Sequence, residues 1–401
     1  MKIAIMGYGV VGSGVGEIVL KNQKGIIKKC GEPIEISHIL DLRDFPDSEF
    51  DCFTKDFDDI LTDPEVGVVV ETMGGTNPAY RFTKELLMAG KHVVTSNKEL
   101  VATHGTELLQ IARERNINYL FEASVGGGIP IIRPLYSCLT AGKITEVLGI
   151  LNGTTNYILT QMYKSGASFE DALRGAQENG YAEKDPTSDV EGIDTCRKIA
   201  ILSALAYGKA IDCEKIDTKG ISDITSADVA YAESAGCSIK LIGQSKLTED
   251  GKIYAAVFPA FVPRENPLSG ICDVFNGIVV RGDDLGDVMF YGRGAGKLPT
   301  ANAVVSDVID AVKHKAVNII IQWSDCGDDS LSDGREIKYR RYLRFEGTAP
   351  ENADGFTALP AFREGEFAVI TAPLTESQTE PLIKGTFGGC KLTGKMRLIG
   401  E

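Results

Sequence analysis

The sequence predicts an α/β fold: a parallel sheet opens the chain, an α+β domain follows, and a small α+β region closes it. Three observations carry this reading. Short apolar runs alternate with amphipathic stretches through residues 1–130, the pattern of strands and helices taken in turn. The run Lys2-Ile3-Ala4-Ile5-Met6 passes straight into Gly7-Tyr8-Gly9-Val10-Val11-Gly12, after which Val15, Ile18 and Val19 recur at helical spacing. Further on, apolar segments at 144–151, 254–261 and 273–281 predict strands with helices between them.

A G-x-G-x-x-G run between a strand and a helix is the fingerprint of a Rossmann-type dinucleotide site. Its first glycine makes the tight turn, the second lets the backbone approach a pyrophosphate, and the third lets helix and strand pack closely. The phosphates then lie on the helix N-terminus, where free N–H groups favour negative charge. Gly7, Gly9, Val10, Val11 and Gly12 are therefore cofactor-binding candidates. The second strand, 35–40, ends at Asp41-Leu42-Arg43. An acid at that position takes the ribose hydroxyls of NAD, and an arginine accepts the extra phosphate of NADP, so both cofactors stay open. Residues 21–33 lengthen the spacing from the glycines and read as a solvated basic loop.

Strands at 66–70 and 92–94 end in Glu71-Thr72-Met73-Gly74-Gly75 and Thr95-Ser96-Asn97-Lys98. Parallel sheets place ligands beyond the carboxyl ends of their strands, so both polar ends are expected to face the cofactor. Thr72 and Lys98 become candidates; Lys98 also fits a solvated lysine at the start of a helix over 99–109. The stretch Phe121 to Pro130 closes this part with three successive glycines, Gly126, Gly127 and Gly128. No Lys-Ser/Thr follows them, so the turn either aims carbonyls at a ligand or ion, or simply reverses the chain. The run from Arg293 to Thr300 leads into a helix, 301–312, read as a return to the first domain. The expected domains are thus 1–130 completed by about 295–320, a catalytic and dimerisation domain over 131–294, and a small region over 335–401.

Composition narrows the function classes. A chain of 401 residues can bury the cores of two or three domains. Its net charge of −14 argues against a nucleic-acid surface or a basic membrane patch. No apolar run approaches the ~18 residues that span a bilayer, and no signal peptide is expected before the first strand. Nine cysteines without C-x-x-C spacing read as reduced thiols of a cytoplasmic protein. His38, His92, His104 and His314 are scattered, so a zinc site is not expected.

The most informative segment is 176–198, AQENGYAEKDPTSDVEGIDTCRK. Gly180, Pro186 and Gly192 among the acids predict a shaped loop rather than a merely solvated face. From Asp194 the pattern turns helical, with Ile199, Leu202, Leu205 and Ala206 on one side. Asp194 and Lys198 then stand at i and i+4, within reach of one another. Such a pair is either an ordinary helix-surface ion pair or an anchor and proton carrier for a small polar substrate.

These residues resemble the homoserine dehydrogenase family over residues 1 to about 320. That family's substrate-site pattern is an alanine, a glycine four on, D-P, a D-aliphatic-x-G-x-D run and a closing lysine. Ala176, Gly180, Asp185-Pro186, Asp189-Val190, Gly192, Asp194 and Lys198 match it with every spacing kept. Leu151-Asn152-Gly153-Thr154-Thr155-Asn156-Tyr157 and Ser96-Asn97-Lys98 match further family segments. The resemblance implies interconversion of L-homoserine and L-aspartate 4-semialdehyde with NADP, NAD remaining possible, on the route to threonine, isoleucine and methionine.

By the same resemblance, Glu183 binds the substrate amino group, with Asp189 also on the substrate side. Asp194 and Lys198 hold the reacting oxygen, Lys198 and Lys98 are the implied catalytic residues, and Lys98, Gly180 and Gly296 belong to the cofactor side. Lys198 is the implied proton donor, with a water between Lys98 and Lys198 as the competing carrier. Glu122, Val125, Gly127 and Ile129 match a monovalent cation site, sodium in the family, built largely from backbone carbonyls. A homodimer or dimer of dimers is implied too. At the end of the chain, Tyr342 to Phe345 and Phe367 to Thr371 resemble strands of an ACT module. Pro350, Gly355, Pro360 and Gly365 break any full helix between them, so a shortened, monofunctional form is expected. The rivals are another semialdehyde or amino-acid dehydrogenase, which would need different groups in 176–198, and a dinucleotide sensor, which need not keep both lysines.

Overall fold

The structure is a computed structural model, describing residues 1–350 and 355–400. Two compact units emerge: Met1–Ile144 with Ala200–Cys213 and Gly292–Cys326, and Thr145–Ile199 with Glu214–Tyr291 and the chain from Gly327 onward.

The first unit begins with β1 (Lys2–Met6), α1 (Val10–Lys21), α2 (Gln23–Cys30), β2 (Glu35–Leu40), β3 (Phe53–Thr54) and α3 (Asp58–Thr62). It continues with β4 (Val66–Glu71), α4 (Ala79–Met88), β5 (His92–Thr95), α5 (Lys98–Glu114) and β6 (Tyr119–Leu120). The six strands form one parallel sheet in the order β3-β2-β1-β4-β5-β6. This is the doubly wound order, and it reverses direction between β1 and β4, where such sheets hold their ligands. Ile3, Ala4, Ile5, Met6, Val68, Val69 and Val70 are fully buried. Near-continuous apolar runs of this kind fit strands covered on both faces.

Two expectations need correction here. Residues 21–33 are not a loop but largely helix: α2 buries Ile26, leaves its lysines outside, and stops at Gly31 with φ 84°. The helix expected over 99–109 is longer, starting at Lys98 and ending at Glu114.

The chain then forms β7 (Ile144–Ile150), α6 (Gly153–Ser165), α7 (Phe169–Glu178), α8 (Thr187–Val190) and α9 (Ile193–Tyr207). Next come β8 (Lys209–Ala210), β9 (Asp217–Thr218), α10 (Ser226–Ser234), β10 (Cys237–Leu247), β11 (Ile253–Pro263), β12 (Phe275–Gly282) and β13 (Gly286–Arg293). Helix α11 (Lys297–Lys313) and β14 (Ser324–Asp325) follow, then β15 (Arg341–Glu346), β16 (Phe356–Ala358), β17 (Glu366–Thr371), α12 (Glu376–Phe387) and β18 (Lys391–Leu398).

The second unit is built on a ten-stranded sheet, ordered β13-β12-β7-β10-β11-β18-β15-β17-β16, with β9 also on β11. Its longest pairing joins β10 and β11 antiparallel from Cys237↔Pro263 to Leu247↔Ile253. The C-terminal strands continue the same sheet, because β18 pairs in parallel with β11 at Ala260↔Arg397 and Phe261↔Leu398. Among the described residues no helix lies between β15 and β17, and residues 351–354 fall outside the description. The C-terminal region is bolted on by charge as well as by sheet. Asp228, in the capping box of α10, accepts from the Tyr342 hydroxyl at 2.9 Å and from Arg344 Nε at 3.1 Å.

Candidate active site

At the switch point of the parallel sheet, Gly7 leaves β1 with φ +91° and Gly9 caps α1. A Cβ at Gly12 would lie 2.0 Å from the Gly7 carbonyl oxygen and 2.9 Å from Thr72 Oγ1, so only glycine fits. Thr72 ties the turn to β4, its Oγ1 donating to Gly7 O at 2.8 Å and its N–H to Met6 O at 2.9 Å. Val10 is exposed at the start of α1, with Val11 beside it half-buried. Gly296 caps α11 with φ 125°.

The end of β2 carries a more committed arrangement than the sequence conveys. Asp41 Oδ2 accepts from the Tyr8 N–H at 2.8 Å and from Arg43 Nη2 at 2.8 Å; Oδ1 accepts from Arg43 Nε at 3.0 Å. The Arg43 guanidinium holds the Asp41 carboxyl down at about 2 against the opposing effect of burial. The Asp41 side chain is only 8% exposed, while that of Arg43 is 63% exposed and reaches over the Phe45 ring.

Glu71 does not face a ligand. It is wholly buried, accepting from Thr95 Oγ1 at 2.5 Å and from the Met73 N–H at 2.8 Å, and burial raises its pKa. Thr95 Oγ1 accepts in turn from the Asn97 N–H at 2.9 Å, and Asn97 Oδ1 caps α5 through the Leu100 N–H at 3.1 Å. This chain of bonds fixes where Lys98, half-buried at the first turn of α5, leaves the backbone. The strand ends therefore divide: Thr72 and Lys98 are half-buried at the sheet end, whereas Glu71 is wholly buried on Thr95 and the Met73 N–H.

The acidic segment is shaped as its glycines and proline suggest. Gly180, with φ +72°, follows α7 in an exposed turn, and Gly192, with φ +81°, precedes α9. On α9, Lys198 Nζ donates to Asp194 Oδ2 at 2.7 Å and to the Leu151 carbonyl at 2.8 Å. The side chains of Lys198 and Asp194 are 11% and 6% exposed, so this is not a surface ion pair. Asp189 Oδ1 and Asp194 Oδ2 both accept from Asn152 Nδ2, at 2.7 and 2.8 Å. Burial, and then the neighbouring Asp194, push the Asp189 carboxyl up. Glu183 stands apart from this group, exposed, its carbonyl accepting from Gln177 Nε2 at 3.1 Å. Asn152 and the Leu151 carbonyl were not singled out as site groups. Asparagine before a helical Gly-Thr-Thr is an N-cap signal that could have marked the first.

The glycine turn after β6 is a main-chain construction. Gly127, with φ +55°, is buried, and a Cβ on it would meet the Gly294 carbonyl oxygen at 2.6 Å. The Glu122 carboxylate accepts from the N–H groups of Ile131, Ile132 and Arg133 at 2.7, 2.9 and 2.7 Å, so it is committed to the main chain that follows the turn. Asp307 accepts from the Glu122 N–H and from Arg133 Nη2, both at 2.7 Å. Complete burial, and then Glu122, push the Asp307 carboxyl up to about 8. Among the described residues no three His, Cys, Asp or Glu side chains converge as metal ligands. A cation here would therefore rest on the carbonyls of Glu122, Val125, Gly127 and Ile129, the oxygen donors that a hard ion prefers.

Comparison with known proteins shows which family the chain belongs to. A family described as homoserine dehydrogenase matches residues 130–309, and one described as homoserine dehydrogenase, NAD binding domain, matches residues 7–122. The homoserine dehydrogenase of Bacillus subtilis (strain 168) is 41% identical over 324 residues, which is 80% of this chain and 74% of that protein. The chain belongs to the homoserine dehydrogenase family. It interconverts L-homoserine and L-aspartate 4-semialdehyde by hydride transfer with a nicotinamide cofactor, a step in amino-acid biosynthesis. A solved homoserine dehydrogenase from Thiobacillus denitrificans superposes with a TM-score of 0.88 at 33% identity, covering 100% of this chain and 98% of that one. A hyperthermophilic archaeal homoserine dehydrogenase in complex with NADPH gives 0.67 at 28% identity, covering 77% of this chain and 97% of that one. The likeness extends through the α/β fold class expected from the sequence, Rossmann-type sheet included.

Proposed function

We propose that Lys198 and Asp194 form the pair that holds the reacting oxygen and handles its proton. The observation that carries this is the buried contact at 2.7 Å, with Lys198 Nζ also on the Leu151 carbonyl. An ammonium has three N–H donors. Two are engaged, and the third serves the substrate hydroxyl or carbonyl. In the reduction direction the ammonium gives this proton to the developing alkoxide and is left a neutral amine; in homoserine oxidation Lys198 starts as that amine and takes the hydroxyl proton. The nicotinamide, when bound, supplies the hydride chemistry. Asp189 lies one amide away from Asp194 on the substrate side, and the exposed Glu183 takes the substrate amino group. Lys98 serves the cofactor side.

The cofactor is NADP, with NAD as the weaker alternative. The exposed Arg43 offers its charge to a ribose phosphate, while the Asp41 carboxylate is occupied by Tyr8 and Arg43 rather than open to ribose hydroxyls. The NADPH of the archaeal relative supports the same choice. Gly7, Gly9, Val10, Val11, Gly12 and Thr72 hold the phosphates, with Gly180 and Gly296 contributing main chain. Glu122, Val125, Gly127 and Ile129 hold a sodium ion through their carbonyls. The enzyme works as a homodimer or dimer of dimers, a reading supported by Leu285, Met289 and Tyr291 exposed at and just before the edge strand β13. A cytoplasmic setting is supported by nine free cysteines; among the described residues no helix is long and apolar enough to cross a membrane.

The test is nicotinamide absorbance with L-homoserine and NAD or NADP in parallel, for wild type and Lys198→Ala. Reduction by wild type and its near loss in the variant are expected. Full activity in Lys198→Ala would overturn the assigned role.

A further inference from the structure

We propose that Asn152 is a positioning residue for the reaction, its single side-chain amide setting the geometry of the Asp194–Lys198 pair; this rests on the reading of that pair given above. Asn152 is buried just before α6. Its Oδ1 accepts from the Thr155 N–H at 2.8 Å and from Thr155 Oγ1 at 3.0 Å. Because a main-chain N–H can only donate, the amide has one permitted orientation. Nδ2 must then face the other way, and both of its hydrogens are used, one on Asp189 and one on Asp194. The helix cap thus fixes the direction of a donor that two acids share.

The consequence for Lys198 is direct. Asp194 Oδ2 accepts from Asn152 Nδ2 and Lys198 Nζ together, so the amide and the ammonium meet at one carboxylate oxygen. Lys198 is pinned on its other side by Leu151, the residue before Asn152. One short stretch, Leu151-Asn152, therefore holds the ammonium through its carbonyl and the ammonium's partner through its amide. The bridge also has to be neutral. A carboxylate in place of the amide would give a third acid against Asp189 and Asp194, while a donor with a single hydrogen could serve only one of them.

Asparagine, aspartate and serine are all good N-caps, whereas alanine is not. Substitution therefore separates holding α6 from holding the pair. Asn152→Ser and Asn152→Asp keep an acceptor for the Thr155 N–H but lose the bridge; Asn152→Ala loses both. Steady-state kinetics, the pH profile of kcat and the melting temperature should be measured for these three variants beside wild type and Lys198→Ala. For Asn152→Ser we expect a melting temperature above that of Asn152→Ala, unchanged KM for the cofactor, and kcat lower by roughly 100-fold, the scale of a misplaced reacting group. In Asn152→Asp the acid limb of the kcat profile should move to higher pH, since an added carboxylate favours protonation of its neighbours. Wild-type kcat in Asn152→Ser, with loss only in Asn152→Ala, would reduce Asn152 to a helix cap and overturn the proposal. Wild-type kcat in Lys198→Ala would instead overturn the reading of the pair itself, and so remove what Asn152 is said to position.

Discussion

Removing Lys198 should cost stability as well as activity, and the two losses can be separated. In Lys198→Met the apolar stem survives, but the Asp194 carboxylate, 6% exposed, loses its ammonium partner while keeping the Asn152 amide, and the Leu151 carbonyl loses its lysine donor. Breaking a buried ion pair from one side costs about 3–5 kcal/mol, because the remaining charge stays in the interior without its partner. For a cooperative unit of about 150–250 residues this corresponds to a melting temperature lower by roughly 6–20 °C. Adding Asp194→Asn removes the orphaned charge while keeping an oxygen for the Asn152 amide. The double variant should therefore regain most of the lost stability and remain inactive. Thermal melts followed by circular dichroism, with homoserine oxidation assayed below the lowest transition, read both quantities. A single variant melting within about 2 °C of wild type would mean that water reaches the pair. A double variant with restored activity would remove the pair from the chemistry.

Three further outcomes follow from named contacts. Arg43→Ala releases Asp41 to meet ribose hydroxyls and removes the phosphate's cation, so the NADP-to-NAD ratio of kcat/KM should fall by on the order of tenfold or more, the worth of one charge-assisted bond. The same pair sets an acid limit. The folded Asp41 pKa of about 2 is depressed, so its stabilisation is present above the unfolded value of about 3.9 and is lost as pH falls through about 2. The stability difference between wild type and Arg43→Ala, measured by urea titration, should hold from pH 7 to 5 and vanish between about 4 and 2. Finally, Arg344→Met leaves Asp228 and Glu366 without their buried cation and should lower stability by about 3–5 kcal/mol in urea, with kcat unchanged.

What the sequence made legible depended on how local each determinant is. Strands β1, β4 and β5 announce themselves because Ile3 to Met6, Val68 to Val70 and Val93 to Val94 are uninterrupted apolar runs. Strand β10 does not, although it is among the longest, because Lys240, Gln244 and Ser245 lie inside its pattern. They are tolerated by partners far along the chain: Lys240 reaches Ile271 O and Asn156 Oδ1, and Gln244 lies between Glu146 and the Tyr339 hydroxyl. Helix α2 was hidden for the opposite reason, since one buried isoleucine among exposed lysines gives almost no periodic signal. The site divides in the same way. The contact between Asp194 and Lys198 follows from their i, i+4 spacing. Its burial, and the Asn152 bridge 42 residues upstream of Asp194, depend on how α6 and α9 meet, which spacing within either helix does not contain. Glu71 was expected to face a ligand because it ends a strand, yet the hydroxyl of Thr95 one strand over draws it inward.

The flank of β11 gives the C-terminal region a part in the main sheet of its unit. Strand β9 occupies that flank at Ala256 and Val257, and β18 at Ala260 and Phe261, with Phe261 stacked on Tyr342 and Arg397 lying over Phe258. Deleting the region would be less like removing an appendage than like opening a seam. Main-chain groups near the middle of the sheet would turn outward beside bared aromatic rings, the template on which chains join edge to edge. A homoserine dehydrogenase that dispenses with these strands must re-dress that flank with charge, proline or another subunit. In this chain the region keeps the flank of β11 from recruiting strangers.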